Sequence, residues 1–159
     1  MVSRVLPRLQ IAALVSIASG LIGGAVWYVD LYDRTDGDDL RWGFWHNPFM
    51  QFTPFSETYL EITMWVLLGC SALVGLGGLL LLARFRWGAS LVVAQAPISI
   101  ATNASLVLLI AWLAFGEAKM EWTGEALALR LGSIAVNLLL WRFLTSRAVT
   151  EVFVESGGR

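Results

Sequence analysis

The sequence predicts an all-α integral membrane protein, an antiparallel bundle of four transmembrane helices with both termini cytoplasmic and an aromatic segment in the first outer loop. Three observations carry that expectation. The 159 residues are 57% hydrophobic and only 14% charged, against about 25% charged in an ordinary soluble domain. The apolar residues come in long uncharged blocks, as a helix crossing a hydrocarbon core requires. Arginines mark both termini and the short second connection, while the first connection sets Arg34 and Arg41 among five aspartates, a distribution read by the positive-inside rule. The mean hydropathy of +0.69 agrees. A net charge of -1 offers no basic surface for nucleic acid.

The first span, expected over residues 9–29, lies between Arg8 and Asp30, 21 residues without a charge. Arg4 and Arg8 followed by an apolar core and "ASG" have the outline of a signal peptide. The run continues, however, through Ile22, Ala25, Val26 and Trp27, which is a full span and predicts a retained helix. Ser16, Gly20 and Gly24 form a row of small residues spaced by four, the pattern that lets helix backbones approach closely, within a bundle or against another subunit. The second span, over 60–83, contains the 22 uncharged residues between Glu61 and Arg84, with Gly69, Ser71, Gly75, Gly77 and Gly78 among them. It also holds Cys70. A single cysteine excludes an intrachain disulfide and a cysteine-based zinc cluster, and in this setting it reads as a small hydrophobe.

The third span, over 88–115, falls in the 30 uncharged residues between Arg86 and Glu117. The fourth, over 125–147, is interrupted by Arg130 and Arg142. Each is close enough to an end for its stem to reach the headgroups. The tail "SRAVTEVFVESGGR" is expected to extend the fourth helix by a turn or two and fray at its glycines. Arg4 and Arg8, Arg84 and Arg86, and Arg142, Arg147 and Arg159 mark the termini and the second connection as cytoplasmic. The first connection, with Arg34 and Arg41, and the third, with only Lys119, are expected to face outward; the basic residues decide, since Asp and Glu contribute little to the rule. A bacterial inner membrane is the expected location.

Residues 30–59 form the one sizeable loop. Its first half, "DLYDRTDGDDL", reads as a solvated turn. Its second half, "RWGFWHNPFMQFTPF", spaces Trp42, Trp45, Phe49 and Phe52 by three, four and three residues, one helical face. Pro48 and Pro54 oppose a single unbroken helix. A short interfacial helix or pair of turns satisfies both, anchoring the loop as an aromatic belt, offering a docking surface to a partner's transmembrane helix, or forming the lip of a lipid or quinone site. His46 stands alone, with no companion ligands for a metal, and no metal or cofactor is expected.

Polar residues recur at membrane depth. Gln95, Ser99, Thr102 and Asn103 share one face of the third span. Arg130, Ser133 and Asn137 share one face of the fourth. Glu61 is expected at about the depth of Arg130, and Asn103 and Asn137 both near the midplane and in direct or water-bridged contact. Polar groups in lipid turn inward and pair, so these residues are either interhelical glue or the lining of a ligand cavity.

The stretch "GLGGLLLLARFRWGASL" resembles the glycine–leucine–basic-turn junction of small bacterial four-helix membrane proteins, including the DoxX type. "RWGFW" resembles the tryptophan motif of claudins, without its paired cysteines. Neither resemblance transfers a residue role. No haem-binding histidine pair, Cys-x-x-Cys motif, phosphate loop or catalytic triad is present in the sequence. The expectation placed first is therefore a non-enzymatic accessory or scaffold subunit in the bilayer, bound to other membrane subunits or to copies of itself. A carrier or binding protein for a lipid, quinone or small solute comes second. A DoxX-like oxidoreductase component comes third, as the resemblance implies.

Overall fold

The computed structural model describes residues 2–36, 54–115 and 123–155. They form five helices and, among the described residues, no strand: α1 Val2–Asp36, α2 Pro54–Leu82, α3 Arg86–Phe115, α4 Thr123–Leu144 and α5 Arg147–Glu155. Four contain stretches long and apolar enough to cross a membrane, namely Leu6–Tyr28, Thr58–Leu82, Arg86–Trp112 and Leu127–Leu144. The shortest, of 18 residues, rises about 27 Å at 1.5 Å per residue, close to the thickness of a hydrocarbon core.

Three boundaries differ from the sequence expectation. Helix α1 continues through "DLYDRTD" to Asp36, where a solvated turn was expected. The segment holds no proline or glycine before Gly37, so nothing in it interrupts the helical hydrogen bonds. Helix α2 begins at Pro54, because a proline at the first helical position loses no hydrogen bond and starts with its φ already set. The remainder of the aromatic stretch, including Trp42, Trp45, Phe49 and Phe52, lies outside the described residues.

The third difference is the tail. Rather than prolonging α4, the chain breaks at Thr145 and Ser146 and starts α5. The Ser146 carbonyl receives the N–H groups of Val149 (3.1 Å) and Thr150 (3.2 Å). In α5, Val149, Val152 and Phe153 are buried while Arg147, Thr150 and Glu151 are exposed. An apolar stripe of that width on a nine-residue helix covers a neighbour but cannot span a bilayer.

Between α2 and α3 the chain turns in three residues. Arg84 takes a left-handed conformation, φ 65°. Its N–H bonds the Leu81 carbonyl at 2.9 Å, and the Phe85 N–H bonds the Leu80 carbonyl at 2.8 Å. These two bonds cap the end of α2 in the way a glycine usually does.

Helix α1 packs along α2, α2 along α3, and α3 along α4, while α5 packs on both α1 and α4. Two close approaches set the first contacts. A Cβ on Gly20 would lie 2.5 Å from the Gly75 Cα, and one on Gly88 would lie 2.6 Å from the Gly77 carbonyl oxygen. Only glycine permits backbones this near. The core divides into two clusters. One joins all five helices through Leu9, Ala13, Leu81, Val92, Leu144 and Phe153. The other, through Trp27, Leu60, Met64, Leu67 and Leu106, draws on α1, α2 and α3 and includes no α4 residue. Helix α4 is thus fastened into the bundle at the α5 end, while its backbone stands away from that of α1.

Candidate functional site: a cavity between α1 and α4

The helical repeat stacks Gln95, Ser99 and Asn103 one turn apart on α3, and Ser133 and Asn137 one turn apart on α4. Gln95, Ser99, Asn103 and Asn137 are buried. Gln95 Nε2 donates to Asn137 Oδ1 at 2.9 Å. Asn137 Nδ2 donates to Ser99 Oγ at 3.3 Å, and Asn103 Nδ2 to Ser133 Oγ at 3.4 Å. The sequence expectation set Asn103 against Asn137. The structure shifts the pairing by one turn, and the two asparagines share Ser99 Oγ instead, which also accepts from Asn103 at 3.4 Å. Depth counted from span centres cannot resolve a shift of one turn, about 5.4 Å. The Thr102 carbonyl accepts from the Ser105 hydroxyl at 2.8 Å.

Each amide is also tied to its own helix. Gln95 Nε2 donates to the Val92 carbonyl at 3.1 Å, Asn137 Nδ2 to the Ser133 carbonyl at 2.9 Å, and Asn103 Nδ2 to the Ser99 carbonyl at 2.8 Å. A carbonyl accepts and cannot donate, so these bonds fix which end of each amide is nitrogen. With the nitrogens so committed, Gln95 Oε1 and Asn103 Oδ1 are buried without a hydrogen-bond partner among the described residues.

About 10 Å further along α4, at 1.5 Å per residue, Arg130 is buried. Its guanidinium carbon stands 3.9 Å over the Trp27 ring centroid. Such stacking offsets part of the cost of holding a cation at this depth, by about 0.5–2 kcal/mol. Glu61 is half-buried on α2 beside Leu60 of the Trp27 cluster, and it does not reach the cavity wall.

Where α4 stands away from α1, a cavity of about 760 Å³ opens. Gln95, Ser99, Arg130, Ser133 and Asn137 lie on its wall, and so do Trp27 and Cys70. Val15, Ile22 and Val26 of α1 and Leu129 and Val136 of α4 supply apolar surface. A second hollow of about 310 Å³, between Arg8, Ile11 and Leu139, shares Val15 and Val136 with it and prolongs it toward α5. Five of the eight interior polar residues named from the sequence therefore meet on one wall; Thr102, Asn103 and Glu61 do not line it. Trp27 and Cys70 were not foreseen there, because hydropathy alone does not say which side of an apolar helix faces inward.

The row of small residues is divided. Ser16 is buried and its hydroxyl bonds the Ala12 carbonyl at 2.8 Å, and Gly20 lies against Gly75 of α2. A Cβ on Gly24 would meet nothing within 4 Å. Two members are thus consumed inside the bundle. The wall as a whole offers one cation, fixed amides and hydroxyls above an apolar channel, groups that bind and orient a guest. No protein-family model, curated protein or solved structure matches the chain.

Proposed function

We propose that the protein is an integral membrane protein of the bacterial cytoplasmic membrane that binds a membrane-dissolved amphiphile between α1 and α4. The termini and α5 lie on the cytoplasmic side of an antiparallel bundle, and the Trp27 end faces outward, as the arginine distribution favours. One observation carries the reading: the 760 Å³ cavity has a buried cation and a hydrogen-bonding cluster on an otherwise apolar wall. That size and lining suit a small amphiphilic ligand.

Purification from native membranes in a mild detergent, followed by mass spectrometry of extracted lipids, tests the reading. A stoichiometric lipid lost on Asn137→Leu substitution is the expected result. Its absence from both proteins would refute it. An accessory-subunit role is the second reading, and the open face at Gly24 favours it, because small outward residues admit a neighbouring helix. Stable co-purifying subunits without a bound lipid would select it. Quinone-dependent turnover would instead select the DoxX-like reading.

A further inference from the structure

We infer that the guest between α1 and α4 is an anionic single-chain amphiphile, a fatty carboxylate, with its head at Arg130 and its tail toward the Arg8 hollow; this rests on the binding role proposed above. Arg130 reaches from α4 across the gap to stack on Trp27 of α1, its guanidinium carbon 3.9 Å from the ring centroid. Both residues line the cavity, so the charged end of the side chain, and not only its stem, stands at the Trp27 end of it. A guanidinium carries five N–H groups, accepts nothing and stays charged, so a contact on one edge leaves other donors to a guest. Arg130 is buried but keeps 7% of its surface. A carboxylate arriving there makes a charge-assisted bond where salt screens little.

The hydroxyls beside the cation point to the same chemistry. Ser133 follows Arg130 by three residues on one face of α4 and lines the cavity, as Ser99 does. The Ser16 and Ser105 hydroxyls return their hydrogens to carbonyls of their own helices, each at 2.8 Å. Ser133 and Ser99 instead accept, Ser133 from Asn103 and Ser99 from both asparagines. Neither donates to a described residue, so each keeps a hydrogen to give. The amide oxygens Gln95 Oε1 and Asn103 Oδ1 are fully buried and offer a guest no acceptor. A carboxylate brings acceptors alone and one negative charge for one buried cation. A phosphate monoester would bring nearly two. Toward α5 the lining turns apolar, through Val15 and Val136 to Ile11 and Leu139. From Arg130 to Phe143 the α4 wall runs about 20 Å at 1.5 Å per residue. That exceeds half of a ~30 Å hydrocarbon core, the depth one leaflet's acyl chain fills. Arg8, at the far end, is exposed, and its charge is left to the headgroups.

The full chain in nanodiscs of zwitterionic lipid is photolabelled with a neutral probe, methyl hexadecanoate carrying a mid-chain diazirine. Labelled peptides are mapped by mass spectrometry, and saturable labelling of α1 and α4 is expected. Hexadecanoate and plain methyl hexadecanoate then compete at alkaline pH, where a carboxyl is ionised. The acid is expected to halve labelling at about one tenth of the ester's mole fraction, equivalent to about 1.4 kcal/mol. In Arg130→Met the two should compete equally; in Arg8→Gln the preference should persist. Equal competition in the wild-type protein, or an advantage for the ester, would overturn the anion inference and leave the cavity reading standing. A preference kept in Arg130→Met and lost in Arg8→Gln would overturn the placement of the head. No saturable labelling in α1 or α4 would overturn both the inference and the cavity reading. The wild-type comparison decides even if Arg130→Met does not fold.

Discussion

Replacing Asn137 by Leu removes two side-chain hydrogen bonds that join α3 to α4, those with Gln95 and Ser99, and leaves that of Asn103 to Ser133. Hydrogen bonds between membrane helices are worth about 0.6 kcal/mol on average and about 1.7 at most. The 2.9 Å bond from Gln95 belongs toward the upper figure and the 3.3 Å bond to Ser99 toward the lower. The substitution should therefore destabilise by about 1–2 kcal/mol. Gln95→Leu should cost less, since it breaks one interhelical bond. The double substitution should cost less than the sum by about 0.6–1.7 kcal/mol, because each single change already forfeits the shared bond. A second cycle supplies the control. Asn103 and Asn137 meet only through Ser99 Oγ, at 3.4 and 3.3 Å, so their effects should add to within about 0.5 kcal/mol. Reversible unfolding in mixed micelles of rising sodium dodecyl sulfate fraction, followed by tryptophan fluorescence and circular dichroism, measures both cycles. Additivity for Gln95 and Asn137 together with strong coupling for Asn103 and Asn137 would refute the reasoning and place α4 one turn away from the register described.

In the same titration, Gly88→Ala should destabilise by about 1–3 kcal/mol, because the new methyl would meet the Leu81 nitrogen at 2.5 Å and the Gly77 carbonyl at 2.6 Å, all backbone. Gly24→Ala, with open space around it, should be neutral or stabilising by up to about 1 kcal/mol; equal losses at the two sites would contradict the packing. Arg84→Gly should raise stability by about 1 kcal/mol, since glycine takes the left-handed φ of 65° without a Cβ clash; a lower unfolding midpoint would mean that the arginine makes a compensating contact. For topology, cysteines at Asp36 and Glu121 in a Cys70→Ser background should react with an impermeant maleimide added outside intact cells, and cysteines at Ser3 and Ser156 should not. Labelling of the terminal positions would reverse the orientation.

The four membrane-span candidates were legible because three uncharged blocks are longer than a bilayer is thick and the fourth apolar block is broken only by Arg130 and Arg142. The interior polar residues were legible as well, since Gln95, Ser99 and Asn103 repeat at helical spacing in a setting where an outward amide is costly. Their partners were not. Periodicity fixes the face of one helix and says nothing of how far its neighbour slides along it, so Asn137 came out one turn from where the span centres placed it. The α5 break was hidden for a different reason. Val149, Val152 and Phe153 continue an apolar pattern that an extended α4 would also carry, and no proline or glycine stands at Thr145 or Ser146 to announce the corner. The cavity itself was invisible, because an open seam arises from two helices failing to meet, and no residue encodes that directly.

The placement of α5 has a consequence for how the chain assembles. Each of α2, α3 and α4 finds its main neighbour in the helix made just before it, so these interfaces can form in the order of synthesis with little loop entropy to overcome. Among the described residues, the α1–α5 contact is the most extensive between helices not adjacent in sequence, and it joins the first helix to the last. Assembly is therefore hairpin-like until its final event, when a nine-residue helix lays Val149, Val152 and Phe153 into the cluster containing Leu9 and fastens the two ends of the chain together. The same joint is the natural first place for partial unfolding. Its opening would free α1 from α4 while leaving the glycine-lined contacts of α1 with α2 and of α2 with α3 in place, and amide exchange in α5 should report that opening well before global unfolding.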